Sequence, residues 1–135
     1  MPEVIEGSFE VTEWNEEQAN GLEGTAKVTT ARIGQRFRGG IEAETVADMV
    51  MTYSLDGTAE FVGHHRVLGK VGELTGSFVM RAFGSYDGSV ARTDFEVIGG
   101  SGTGGLAGIS GSGAASAGHG GTGTYRFALD LPGGK

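Results

Sequence analysis

The sequence predicts an all-β protein, an eight-stranded antiparallel up-and-down β-barrel, on three observations. Apolar and polar residues alternate with a period of two in the patterned segments, and a sustained period of 3.6 is absent. Glycine supplies 27 of the 135 residues, which suits tight turns and curved strands. Eight predicted strands are joined mostly by short turns, and closing the sheet would remove exposed edges. A β-sandwich is the alternative.

Length and charge narrow the classes of function. A chain of 135 residues fits one domain, residues 1–135. Ten Lys and Arg against 17 Asp and Glu give a net charge of −7, which opposes binding to nucleic acid or to an anionic membrane. The sequence shows no transmembrane stretch and no targeting segment, so we expect a cytoplasmic protein. The absence of cysteine excludes disulfides and a thiolate nucleophile.

The first predicted strand, residues 7–14, alternates strictly. A polar segment ending in Asn20-Gly21 predicts a turn before the second strand, and Gly34 is expected to turn the chain into the third. The second strand is expected to place its apolar face on the side opposite Lys27. On this reading the apolar faces of the two strands carry Phe9, Val11, Glu13, Ala26 and Val28.

Residues 37–71 form the central predicted hairpin. The Asp56-Gly57 pair predicts a type I′ turn between its two long strands, and Asp87-Gly88 predicts a second hairpin between strands five and six. Charged residues share the opposite face of each strand, so the apolar face must be buried. The inward positions of these four strands include Ile41, Ala43, Ala47, Met49, Met51, Tyr53, Phe61, His65, Val67, Phe78, Met80, Ala82, Ala91, Thr93, Phe95 and Val97.

A glycine-rich segment, residues 99–121, precedes the last strand. We expect one helical turn at Leu106 to Ile109 and then a strand of small residues, although a flexible linker is the alternative. Residues 100–105 match the dinucleotide pattern GxGxxG, but no helix pattern follows them and no acidic residue lies about 20 positions on. We therefore interpret them as a glycine turn. The last strand places Tyr125, Phe127, Leu129 and Leu131 on one face.

Metal and cofactor chemistry are not expected. His64 and His65 are adjacent, and neighbours on a strand point to opposite faces, so they cannot bind one ion together. His119 lies in the glycine segment without a partner. Glu42 and Glu44 have the same-face spacing that carboxylate catalysis uses, but their other neighbours on that face favour a solvated surface. We expect neither a metal nor a cofactor.

Five polar residues fall on the inward face: Glu13, Tyr53, His65, Thr93 and Tyr125. A few polar groups inside an apolar cavity are typical of a small-molecule site. His65, Glu13, Tyr53 and Tyr125 are the candidate acids or bases, because a histidine exchanges protons near neutral pH and an apolar wall raises the pKa of a carboxylic acid toward that range. The expected cavity wall is Phe9, Val11, Met49, Met51, Phe61, Val67, Phe78, Met80, Thr93, Phe95 and Phe127.

The hypothesis is therefore a barrel that binds an apolar small molecule. Isomerisation or cyclisation of that molecule requires orientation more than reactive groups, so either reaction is a further hypothesis. The alternative is a non-catalytic carrier, or a structural, oligomerising barrel whose interior is filled by side chains such as Met80 and Phe127.

Seven segments, in this order, carry a resemblance: GSFEVTEW, IEAET, MTYS, AEFVGHHRVLG, GSFVM, DGSVARTDFEV and GSGTGGLAGISGSG. Together they resemble the bacterial family called domain of unknown function 3224, across nearly the whole chain. The resemblance implies an allene-oxide-cyclase-like β-barrel that forms oligomers, and we expect a homodimer. By analogy of fold it also implies a cyclase of the allene oxide or spirotetronate type.

Overall fold

The alternating segments form nine β-strands in the computed structural model, which describes residues 2–18, 23–118 and 120–132. None of these residues lies in a helix. The predicted turn at Asn20-Gly21 and His119 fall outside the described residues. The strands are β1 (Glu3–Gln18), β2 (Lys27–Gly39), β3 (Ile41–Tyr53), β4 (Ala59–Val71), β5 (Leu74–Tyr86), β6 (Ala91–Val97), β7 (Thr103–Gly104), β8 (Ser110–Ala117) and β9 (Thr122–Asp130).

Eight of these strands close into an antiparallel barrel, as predicted. Strands β1 to β6 pair in sequence order, β8 pairs with β6, and β9 pairs with both β8 and β1. The two-residue β7 lies outside this ring and pairs with the start of β5. Closure pairs each barrel strand on both sides, which removes the exposed edges of an open sheet.

The chain turns from β2 into β3 at Gly39 and Gly40, and the turn predicted at Gly34 is wrong. Gly39 has a φ of 101°, which favours glycine. Gly34 lies inside β2, opposite a β-bulge in β1 between Val11 and Glu13. A Cβ at Gly34 would come within 3.0 Å of the Thr12 hydroxyl. This glycine therefore makes room for the bulge.

The bulge reverses the faces of β1. Before it, Phe9 faces the interior, and after it Trp14 lines the interior cavity while Glu13 is exposed. One extra residue exchanges the two faces because side chains on a strand alternate with a period of two. The inward placement expected for Glu13 is thus wrong.

Strand β2 also presents the face opposite to the one expected. Thr29, Ala31 and Ile33 are buried, whereas Ala26 precedes the strand and Val28 lies on the alternate face. The reason is a row of arginines on the outer face of β2, each paired with a carboxylate on a neighbouring strand. The pairs are Arg32 with Asp48, Arg36 with Glu44, and Arg38 with Glu10.

The β3–β4 hairpin closes at Asp56-Gly57 as predicted, but not with a type I′ turn. A type I′ turn needs a positive φ at both central residues. Gly57 has a φ of 91°, but among the described residues only glycines have a positive φ, so Asp56 does not. Gly57 N donates to Ser54 O over 3.2 Å, and Asp56 Oδ1 accepts the Thr58 N–H over 3.0 Å. A longer loop with a single left-handed glycine fits this pattern.

One end of the barrel is filled with side chains. The expected helical turn is instead a set of tight turns in which Leu106 N donates to Thr103 O over 3.0 Å and Ile109 N donates to Leu106 O over 3.1 Å. Both Leu106 and Ile109 are buried there. The other side chains of this packed end include Ile41, Val67, Val71, Phe78, Met80, Phe127 and Leu129.

Candidate functional site

The opposite end of the barrel contains a cavity of about 490 Å³. At this end β9 pairs with β1 only as far as Glu10, and the second half of β1 extends beyond that pairing. The lining residues are Phe9, Val11, Trp14, Ile33, Gln35, Phe37, Met49, Met51, Tyr53, Ala59, Phe61, His65, Tyr86, Ala91, Thr93, Phe95, Ala115, Ser116, Ala117, Gly118, Gly120 and Gly121.

The structure brings most of the expected site residues to this cavity. Those at the wall are His65, Tyr53, Phe9, Val11, Met49, Met51, Phe61, Thr93 and Phe95. The expected wall residues Val67, Phe78, Met80 and Phe127 lie instead in the packed end. These four side chains face the barrel interior, as expected, but they lie farther along the barrel axis than the cavity reaches.

Tyr125 also lies in the packed end and not at the cavity. Its hydroxyl accepts the Ile41 N–H over 2.8 Å and donates to Arg38 O over 2.7 Å. These bonds hold the turn between β2 and β3. Tyr125 is therefore a structural residue rather than the interior acid or base that the sequence suggested.

His65 is the buried polar group of the cavity wall. The residue is 4% exposed, and its Nδ1 has no hydrogen-bond partner among the residues that the structure describes. The ring meets Phe95 edge to face, with the centroids 5.1 Å apart. Burial lowers the pKa of His65 from its ordinary 6.5 to about 4, so the imidazole is neutral at pH 7. His64 is exposed on the outer face.

Glu16 holds the rim of the cavity together, and the sequence pattern missed it. Its Oε2 accepts hydrogen bonds from the hydroxyls of Tyr53 and Thr29, each over 2.5 Å, and its Oε1 accepts the Trp14 indole N–H over 3.0 Å. Lys27 lies over the Tyr53 ring, with Nζ 4.9 Å from the centroid. The rim cluster of Trp14, Glu16, Lys27, Thr29 and Tyr53 therefore joins three strands.

Electrostatics fix the protonation states in the rim cluster. Burial raises the pKa of Glu16, but hydrogen bonds from Thr29, Tyr53 and Trp14 and the charge of Lys27 lower it, and the net shift is downward. Burial, together with the hydrogen bond and charge of Glu16, raises the pKa of Tyr53 to about 12. At pH 7 the carboxylate is ionised and the phenol is protonated. This pairing suits a brace rather than a base at Tyr53.

Trp14 and Gln35 are two further wall residues that the sequence reasoning missed. The signal for Trp14 was present, because a strict alternation placed its large apolar ring on the polar side of the first strand. Such a conflict points to a bulge. Gln35 lies on the same face of β2 as Ile33 and Phe37. The arginines alternate with these residues on β2, and because charged side chains face solvent, they indicate that the face of Gln35 points inward.

The chemistry available at the cavity is hydrogen bonding within an apolar wall. Gln35, His65 and Thr93 are among the polar side chains of the lining, and the lining residues that the structure describes include no Asp, Glu, Lys or Arg. Across the described residues, His, Asp and Glu form no cluster of three that would hold a metal ion. A long apolar helix of the kind that crosses membranes is likewise absent from the described residues.

The family model "Protein of unknown function (DUF3224)" matches residues 5–129. The chain belongs to this family. The family predicted from the seven sequence segments is thereby confirmed. The wider kinship with allene-oxide-cyclase-like barrels stays a prediction.

A solved structure supports the barrel fold of this DUF3224 chain. It is the crystal structure of a protein with unknown function from the DUF3224 family from Shewanella oneidensis MR-1. The two chains are 26% identical and superpose with a TM-score of 0.78, over 97% of this chain and 98% of the other. No curated protein matches the sequence.

Proposed function

We propose that this protein binds an apolar small molecule in the open end of its barrel. The observation that carries the proposal is the cavity of about 490 Å³ with its mainly apolar wall. Small-molecule sites typically measure about 300–1,000 Å³ and combine an apolar lining with a few polar groups. The packed end closes the barrel on its own, so the empty end is available for a ligand.

His65 supports the same proposal. The ring lines the cavity, where a neutral imidazole exchanges a hydrogen bond with a bound ligand. Nδ1 itself is enclosed by the wall and has no partner among the described residues, so the contact is made by the part of the ring that faces the cavity. The exposed His64 on the other face has no such role.

Filling the cavity tests this proposal. Ala115 lines the cavity, while Ala114, its neighbour on β8, faces outward. The neutral fluorophore 1-aminoanthracene should bind the wild type and the Ala114→Phe variant with equal affinity. Ala115→Phe should weaken binding at least about tenfold, because the new ring occupies the site. An absence of binding to the wild type, or equal binding by both variants, would refute the proposal.

Cofactor-free isomerisation or cyclisation of the ligand is the second candidate. The apolar cavity excludes water and shapes a substrate, and the neutral imidazole of His65 is a proton acceptor within it. Solvent deuterium should then enter the ligand during turnover by the wild type and not with His65→Ala. A ligand recovered unchanged and without deuterium would contradict catalysis and favour a non-catalytic carrier.

We propose further that two copies of the chain associate through an outer apolar row. Val50, Val62 and Phe83 lie side by side on β3, β4 and β5, and they are 45%, 51% and 42% exposed. A contiguous exposed apolar patch favours an interface. Sedimentation should give a homodimer for the wild type and a monomer for Val62→Lys.

The cytoplasmic location expected from the sequence stays a prediction.

A further inference from the structure

We propose that the ligand is a neutral aromatic molecule with a hydrogen-bonding group, and not a fatty acid or another anion. This inference rests on the ligand-binding function proposed above and narrows it to a chemical class. Three features of the cavity carry it: the aromatic wall, the distribution of charge, and the buried imidazole of His65.

The wall of the cavity is rich in aromatic rings. Phe9 and Phe37 stack with their centroids 5.6 Å apart and an interplanar angle of 30°, and Phe61 and Phe95 also line the cavity. Aromatic rings prefer other rings in offset or edge-to-face contact. The sulfur of Met49 favours aromatic partners too. A planar ring system therefore finds more favourable contacts here than a flexible alkyl chain.

Glycines fix two of these rings against the barrel wall. A Cβ at Gly123 would come within 2.6 Å of Phe9 Cζ, and a Cβ at Gly84 would come within 2.8 Å of Phe61 Cε1. Each ring thus lies directly against the backbone of a neighbouring strand. Because these two rings lie against the wall, they leave the volume of about 490 Å³ to a rigid ligand.

The charges at the rim disfavour an anion. The described lining residues supply no cation. Lys27, the cation of the rim cluster, lies over the Tyr53 ring and interacts with the ionised Glu16. A carboxylate on the ligand would enter past the negative charge of Glu16 and remain unpaired in the apolar cavity, which is costly.

His65 supplies the polar contact but no positive charge. Its burial keeps the imidazole neutral at pH 7, so it exchanges a hydrogen bond with a hydroxyl, amine or carbonyl group and does not form an ion pair. The buried imidazole in the cavity wall therefore selects a neutral polar group on the ligand.

Four matched probes, with naphthalene as a fifth, test the chemical class by isothermal titration calorimetry at pH 7: 2-naphthol, 2-naphthoate, 1-decanol and decanoate. We expect 2-naphthol to bind most tightly, at least about tenfold over 2-naphthoate and about threefold over 1-decanol. His65→Ala should weaken 2-naphthol about tenfold and leave naphthalene, which lacks the hydroxyl, unchanged. The matched control His64→Ala should change neither.

The outcomes separate the two proposals. If decanoate or 2-naphthoate binds more tightly than 2-naphthol, and Ala115→Phe abolishes that binding, the cavity function stands and the proposed ligand class is wrong. If the wild type binds none of the probes, or Ala115→Phe loses none of them while Ala114→Phe behaves identically, both proposals are wrong. Equal effects of His65→Ala and His64→Ala on 2-naphthol would remove the role assigned to the imidazole.

Discussion

The hydroxyl of Tyr53 donates a hydrogen bond to Oε2 of Glu16 over 2.5 Å, which connects the last residue of β3 to β1 across the intervening β2. The Thr29 hydroxyl of β2 donates to the same oxygen. One carboxylate thus joins three strands where the barrel wall borders the cavity.

Glu16→Gln should lower the free energy of unfolding by about 1–2 kcal/mol, because an amide accepts these hydrogen bonds more weakly than a carboxylate. Urea unfolding of the variant measures the loss. Glu17→Gln, on the exposed face of the same strand, is the matched control and should stay within about 0.5 kcal/mol of the wild type. Equal stabilities of the two variants would show that Glu16 is not a brace.

Stability should depend on pH through His65. The folded-state pKa of His65 is about 4, against an ordinary 6.5, so the unfolded chain takes up a proton between these values that the folded chain does not. Protonation of His65 in the unfolded chain therefore leaves the free energy of unfolding unchanged above pH 6.5 and lowers it as the pH falls from 6.5 toward 4. Between pH 7 and pH 4.5 the free energy of unfolding should fall by about 2–3 kcal/mol more in the wild type than in His65→Gln.

His64→Gln serves as the control for this pH dependence, because His64 lies on the outer face. Its unfolding free energy should follow that of the wild type at both pH values. A pH profile of His65→Gln that matches the wild type would show that the imidazole is not buried in its neutral form.

Tyr125→Phe should destabilise the barrel without affecting ligand binding. The variant leaves the Ile41 N–H without the acceptor that it has in the wild type, at a cost of about 1–3 kcal/mol. The affinity for 1-aminoanthracene should not change, because Tyr125 does not line the cavity. A loss of affinity with unchanged stability would return Tyr125 to the list of site residues.

Gly123→Ala should lower stability by about 1–3 kcal/mol. The added Cβ would come within 2.3 Å of Ser116 O and 2.6 Å of Phe9 Cζ, so both the backbone and the ring must shift. At Gly99 a Cβ would meet nothing within 4 Å. Thermal unfolding of Gly99→Ala should therefore match the wild type, and a similar loss in both variants would contradict this steric explanation.

The sequence predicted the barrel and much of its interior surface. Charged residues alternate with apolar ones along β3 and β4, and burying the charged set would cost several kcal/mol for each unpaired charge. That cost determined the inward face of His65 and the outward face of His64. The closure of eight strands followed from turn spacing and from the cost of exposed edges.

Alternation alone did not locate two features, although the apolar ring of Trp14 on the polar side of the first predicted strand was a sign of the first. The bulge in β1 depends on the pairing of Glu13 with Gly34, a contact between distant residues, and it decided the positions of Glu13, Trp14 and Glu16. Alternation also does not predict which inward side chains line the cavity and which fill the packed end. Phe95 and Phe127 both face inward, but only Phe95 lines the cavity, because depth depends on the register among all eight strands.

The separation of a packed end from an empty end has an evolutionary consequence. Residues such as Phe78 and Leu106 hold the barrel together at one end, while small residues such as Ala91 and Ala117 line the cavity at the other. Replacements among the small residues alter which molecules fit and leave the stabilising contacts intact. Such a scaffold lets descendants acquire new ligands through a series of intermediates that all still fold.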